Sequence, residues 1–114
     1  MSDAGIDAVG VTDDTHFVGN AKIIGELAIS NRLPSIGFTE FAPAGGLIGY
    51  GVNLGDLWYR GAFFIDRILK GARPADLPVE QPTKFDLVVN LITAQALGLG
   101  VPPTLLARAD EVIE

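Results

Sequence analysis

With 114 residues the chain is one domain at most, and 48% hydrophobic against 19% charged residues is the balance of a folded globular domain, not a disordered one. A formal charge of −6 excludes a surface built to neutralise nucleic-acid phosphates or to dock on an anionic membrane. No cysteine is present, which excludes disulfides and thiolate chemistry, and no apolar run approaches the ~20 residues of a membrane-spanning helix.

Taken in chain order, Ile6–Thr12 is a short apolar run ending at Asp13-Asp14, as in a buried parallel strand. Phe17–Asn31 then carries Val18, Ala21, Ile24, Leu27 and Ala28 at helical spacing, with Thr15 or the Asp pair as its cap and Leu33-Pro34 as its stop. Ser35–Phe38 is a second strand, making one right-handed βαβ unit of the first forty residues. Thr39–Gly46 is a loop and Leu47–Val52 a third strand. Leu54–Leu69 is the best-defined helix, with Asp56 in its first turn, Lys70 at its negative end and Gly71 beyond it. Ala72–Lys84, with Pro74, Pro78 and Pro82, predicts an extended segment longer than the ~2–6 residues of ordinary αβ loops. Phe85–Leu91 is a fourth strand, Thr93 caps a short helix over 93–99, and Pro102-Pro103 opens a last helix, Thr104–Ile113. The order of elements is that of an α/β protein, and the long proline-rich stretch reads as a chain travelling between two bodies.

Two runs carry a resemblance to a known family: Ala44-Gly-Gly-Leu-Ile-Gly-Tyr-Gly51, and Ile68 through Leu91, ILKGARPADLPVEQPTKFDLVVNL. Together with the ending Ala94–Leu99 and Pro102–Ile113, they resemble the substrate-binding proteins of ABC transporters of the tryptophan/tyrosine type. The likeness runs from about Asp7 onward. It implies a partial type I periplasmic-binding-protein fold: the parallel sheet of a C-terminal lobe, crossing strands, and one helix of an N-terminal lobe. Residues 1–46 would then be the βαβ part of the C-terminal lobe, 47–84 the hinge crossings and the N-terminal-lobe helix, and 85–114 the end of the C-terminal lobe. The family is longer, so the resemblance implies a truncated chain without most of one lobe and without an export signal, although its relatives work in the periplasm or otherwise outside the cytoplasm. A helix at 54–69 deprived of that lobe would expose its apolar face, predicting self-association or a domain-swapped homodimer.

Ligands of open α/β sheets sit beyond the carboxyl ends of the strands. Asp13 and Asp14 stand there and suit either contact with an amine or hydroxyl, or capping of the next helix. Phe38 and Glu40 follow the next strand, where an aromatic wall and an acid suit a zwitterionic or aromatic solute; the alternative is a Phe38 and Phe41 packed in the core and a solvated Glu40. Tyr50 and Asn53 flank the first crossing and are further candidates for ligand contact. Gly45, Gly46, Gly49 and Gly51 read as backbone freedom at a hinge, because no GxGxxG or phosphate-loop pattern surrounds them. His16 stands alone and makes a poor metal ligand or base, and Trp58 reads as packing or interface.

The expected function is solute capture for an ABC importer, with a small amino-acid-like molecule held between two lobes and a transporter permease as partner. No cofactor, metal or nucleic acid is expected, and no nucleophile–base constellation suggests an enzyme. The alternative is a regulatory or sensor domain of the same ligand-binding fold. A phosphoacceptor receiver domain is disfavoured, because Ser35–Phe38 ends without the second Asp that it needs.

Overall fold

A computed structural model describes residues 5–114. The chain divides into two compact units, one comprising the described residues through Gly51 together with Asp86–Glu114, the other Val52–Phe85.

The first unit is built on a five-stranded sheet in the order β1 (Val9–Gly10), β2 (Ser35–Gly37), β3 (Ile48–Val52), β4 (Phe85–Asn90) and β5 (Glu111–Ile113). Parallel pairings set Gly10 beside Ile36, Ile36 beside Ile48, and Asn90 beside Ile113. The neighbours β3 and β4 meet through Asn90 N–H, which donates to the Leu47 carbonyl at 2.9 Å. The helices of this unit are α1 (Thr15–Gly19), α2 (Ala21–Ser30), α4 (Leu91–Leu97) and the single turn α5 (Pro103–Leu106), and α2 packs against α4.

Four expectations need correction. The strand expected over Ile6–Thr12 is a two-residue edge strand, with Ile6 40% exposed, because only β2 pairs with it. The helix expected over Phe17–Asn31 is broken at Asn20, whose φ of −115° and ψ of 14° leave helical geometry just after Gly19. Asn90, not Thr93, caps α4: its side-chain oxygen accepts from Thr93 N–H at 3.1 Å, and Gly98 ends the helix in the left-handed region at φ 70°. Finally, Thr104–Ile113 is not a helix. Glu111–Ile113 is recruited as β5 by the free edge of β4, and Asp110 locks the junction by accepting from Leu87 N–H at 2.8 Å while its own N–H donates to the Leu87 carbonyl.

The core of this unit centres on Phe41, which is fully buried, with Phe38 tilted against it at 5.9 Å between ring centroids and Ala21, Ile24, Val11 and Ala44 around them. Gly37 and Gly46 make room for that ring, and Gly25 makes room for the backbone beside it. A Cβ on Gly37 would lie 2.8 Å from Phe41 Cγ, one on Gly46 would collide with the ring outright, and one on Gly25 of α2 would come within 2.9 Å of the Gly45 backbone. Of the four glycines read as hinge freedom, only Gly45 needs a left-handed backbone, at φ 118°. Gly46 and Gly49 are small because other atoms occupy the space a Cβ would take.

Buried polar side chains stitch the segment between Phe41 and Ile48 to the sheet and to α4. Asn90 Nδ2 donates to the Ala42 carbonyl at 2.9 Å, Thr93 Oγ1 donates to the Gly45 carbonyl at 3.0 Å, and Ser35 Oγ accepts from Leu47 N–H at 3.1 Å. Burying these groups is tolerable because each has found a partner.

The second unit contains α3 (Leu54–Leu69), with the boundaries its periodicity predicts. Asn53 caps it, its side-chain oxygen accepting from Asp56 N–H at 3.0 Å, and Gly71 follows at φ 105°. No residue of α3 is buried: Trp58 is 73%, Ile65 59% and Leu69 82% exposed. A single turn at Pro74–Asp76 interrupts the extended segment that follows, where Arg73 pairs with Asp76.

Candidate functional site

The parallel register brings the carboxyl ends of β1, β2 and β3 to one edge of the sheet. Beyond β1, Asp14 caps α1 by accepting from His16 N–H at 2.9 Å, and Asp13 precedes it in an exposed loop. His16 projects into solvent with its side chain 93% exposed, and among the described residues no three His, Cys, Asp or Glu gather as metal ligands.

Beyond β2, the chain turns through a short 3-10 helix, Thr39–Phe41, whose Phe41 N–H donates back to the Phe38 carbonyl at 2.9 Å. The turn sorts its side chains. Phe38 and Phe41 go into the core, Phe38 being only 6% exposed, while Glu40 is exposed and Thr39 half-buried. On β3, Tyr50 is 54% exposed between two glycines. So Asp13, Asp14, Glu40 and Tyr50 all present surface in the first unit, whereas Phe38 is used chiefly for packing. Thr39, two residues beyond β2, adds to this edge a hydroxyl that the sequence did not single out as a candidate.

The sixth candidate, Asn53, lies in the second unit as the cap of α3. There it also borders a groove of about 270 Å³, lined further by Asp56, Tyr59, Arg60, Glu80 and Lys84. Arg60 spans this groove with a two-pronged pair to Glu80, one arm at 3.0 Å, and stacks over Phe63 at 4.7 Å from the ring centre. The hydrogen bonds to Glu80 raise Arg60 further above its already high range, so it stays a cation at all ordinary pH. Both partners are well exposed, and such pairs contribute little to stability.

Chemically, the edge of the first unit offers carboxylates able to accept from an ammonium group, a hydroxyl at Thr39 and an aromatic ring at Tyr50. Such groups can hydrogen-bond and stack with a small polar molecule. Solved structures carry the same architecture. A conserved domain protein from Vibrio cholerae matches with 25% identity and a TM-score of 0.86 over 93% of this chain. An ABC domain from Streptococcus pneumonia, crystallised in complex with L-Trp, matches with 30% identity and a TM-score of 0.87 over 96%. A ligand-free, open substrate binding protein with adhesive properties from Clostridium difficile matches with 27% identity and a TM-score of 0.65 over 95%. Among curated proteins, a tyrosine-binding protein of Clostridioides difficile is 25% identical over 95 residues, 82% of this chain. The chain spans 28% of that relative's length and 36%, 38% and 36% of the three solved ones. These likenesses, the partial periplasmic-binding-protein fold and the match of the family model "ABC transporter substrate binding protein" to residues 2–113 have one conclusion: the chain belongs to the ABC transporter substrate binding protein family.

Proposed function

We propose that this chain forms part of the solute-binding component of an ABC importer, working outside the cytoplasmic membrane to capture an aromatic amino acid between two lobes and deliver it to a permease. The observation that supports this reading is the shared carboxyl edge of β1, β2 and β3, beyond which Asp13, Asp14, Thr39 and Glu40 follow in the chain, with Tyr50 exposed on β3. Acids suit the ammonium of an amino acid, and an exposed ring suits its aromatic side chain. Relatives known as a tyrosine-binding protein and as an L-Trp complex support the aromatic class. Capture would follow from population shift: a ligand that touches both lobes favours the closed arrangement, because only there does it make all its contacts.

Thermal unfolding with each amino acid in turn tests this reading, on the chain itself and on a form joined to the remaining lobe of the Streptococcus relative. Ligand at about 100 times its Kd should stabilise the two-lobed form by roughly 2.7 kcal/mol, with L-tyrosine and L-tryptophan giving the largest shifts. If no amino acid moves the two-lobed form, capture is ruled out.

The apolar stripe of α3 has its own expected consequence. Leu57, Trp58, Ile65, Ile68 and Leu69 are spaced to share one face and are all at least 41% exposed, so the chain in isolation should associate through this helix. Sedimentation should find a dimer at high micromolar concentration, and the double variant Trp58→Glu, Ile65→Glu should sediment as a monomer. An unchanged chain that is already monomeric would sink this expectation.

A further inference from the structure

The glycines at 49 and 51 remain unexplained by hinge freedom, since neither has a left-handed backbone. Their surroundings give a different reason. A Cβ on Gly49 would run into the Thr39 carbonyl and lie 3.0 Å from the Phe38 carbonyl, and a Cβ on Gly51 would lie 3.3 Å from Thr39 Oγ1. Residues two apart on a strand face the same way. Gly49 and Gly51 are therefore a strip of β3 left bare of side chains, and the Thr39–Phe41 turn lies directly on it. Tyr50, between them, points to the other face and keeps its exposure.

We infer that Gly49 and Gly51 are positioning residues for the ligand edge: by admitting the turn against β3, they set where Thr39 and Glu40 stand beside Asp13 and Asp14, and Thr39 itself touches the solute. The inference rests on the capture reading above and adds to it a ligand contact and the device that places it. The turn is anchored by its own Phe41, buried against Gly37 and Gly46. Anything that fills the strip lifts the turn outward and moves Thr39 and Glu40 together. The solute, an amino acid with an ammonium for the acids and a carboxylate for a hydroxyl donor, would lose both contacts at once.

The test uses nitrogen-15 spectra of the 114-residue chain, titrated with L-tryptophan and L-tyrosine to millimolar concentration. Gly51→Ala is the informative variant, because a Cβ 3.3 Å from Thr39 Oγ1 requires that residue to give by a few tenths of an ångström without forbidding the fold. It should shift the amide signals of Thr39–Phe41 and weaken solute binding at least tenfold, whereas Gly19→Ala, with nothing within 4 Å, should do neither. Thr39→Ser, which keeps the hydroxyl, should retain binding; Thr39→Ala should lose it with the fold unchanged. Adding Thr39→Ala to Gly51→Ala should return the Phe41 signal towards its original position, because the obstructing oxygen is gone, while binding stays weak. Unchanged affinity in Gly51→Ala or in Thr39→Ala overturns the inference alone. If neither the unchanged chain nor the two-lobed form gives shifts at Asp13–Asp14 or Thr39–Glu40, the capture reading of this edge fails, and the inference with it.

Discussion

Phe41→Ala should destabilise the protein by about 3–5 kcal/mol, the usual loss for a buried phenylalanine. Domains of this size have only about 5–15 kcal/mol in hand, so much of the population should be unfolded under mild conditions. The reason lies in the shape of the surroundings more than in the ring's area. Phe41 is fully buried, and Gly37 and Gly46 have given up side chains to fit around it. Glycines have no side-chain atoms with which to refill the space, so the cavity would stay open. The converse change is informative too: Gly46→Val adds bulk where the ring already stands and should be at least as damaging. Urea denaturation measures both, and a loss below about 1 kcal/mol for Phe41→Ala would refute this account of the core.

Asn90→Ala should cost about 1.5–2.5 kcal/mol by the same measurement. One part is the lost cap of α4, where Asn90 Oδ1 holds Thr93 N–H, a contribution of about 1 kcal/mol. The other part is the tether to Ala42, whose carbonyl would lose its 2.9 Å bond from Asn90 Nδ2 and keep only the one from Gly45 N–H at 3.1 Å, a loss of about 0.5–1.5 kcal/mol. Asn90→Asp separates the two. It preserves the acceptor for Thr93 but sets an oxygen against the carbonyl of Ala42, so it should be no milder than Asn90→Ala at neutral pH. If Asn90→Asp were as stable as the unchanged chain, the tether to Ala42 would carry no weight. Either variant should also loosen the segment between Phe41 and Ile48, seen as faster amide exchange at Gly46 and Leu47.

The resemblance to relatives was legible because it lies in long, specific runs such as Ile68–Leu91, and the family model covers nearly the whole chain. The proposed ligand edge was legible in part. Asp13, Asp14 and Glu40 follow apolar runs in the sequence, and in the fold each lies three residues or more beyond the end of β1 or β2. Phe38 and Thr39 were harder to tell apart, because the sequence does not show which residues a 3-10 turn sends inward.

Local information was sufficient for α3: sixteen residues of unbroken amphipathic spacing, an Asn53 cap and a Gly71 stop make its ends independent of anything distant. The same holds for the break before β2 at Pro34 and for the strand character of Ile48–Val52 and Phe85–Asn90, whose apolar runs lie between helix-breaking flanks. What tertiary structure alone decided depends on partners far along the chain. Thr104–Ile113 has the composition of a helix, but the open edge of β4 offers backbone hydrogen bonds that three residues of strand satisfy better, so Glu111–Ile113 became β5. Asn90 reaches Ala42, forty-eight residues away, a pairing no local pattern announces. The glycines of β3 look the same in sequence whether they serve bending or close approach, and only the turn lying on them distinguishes the two. Periodicity and capping are properties of neighbours in sequence; edges, tethers and steric vacancies exist only once the chain has met itself.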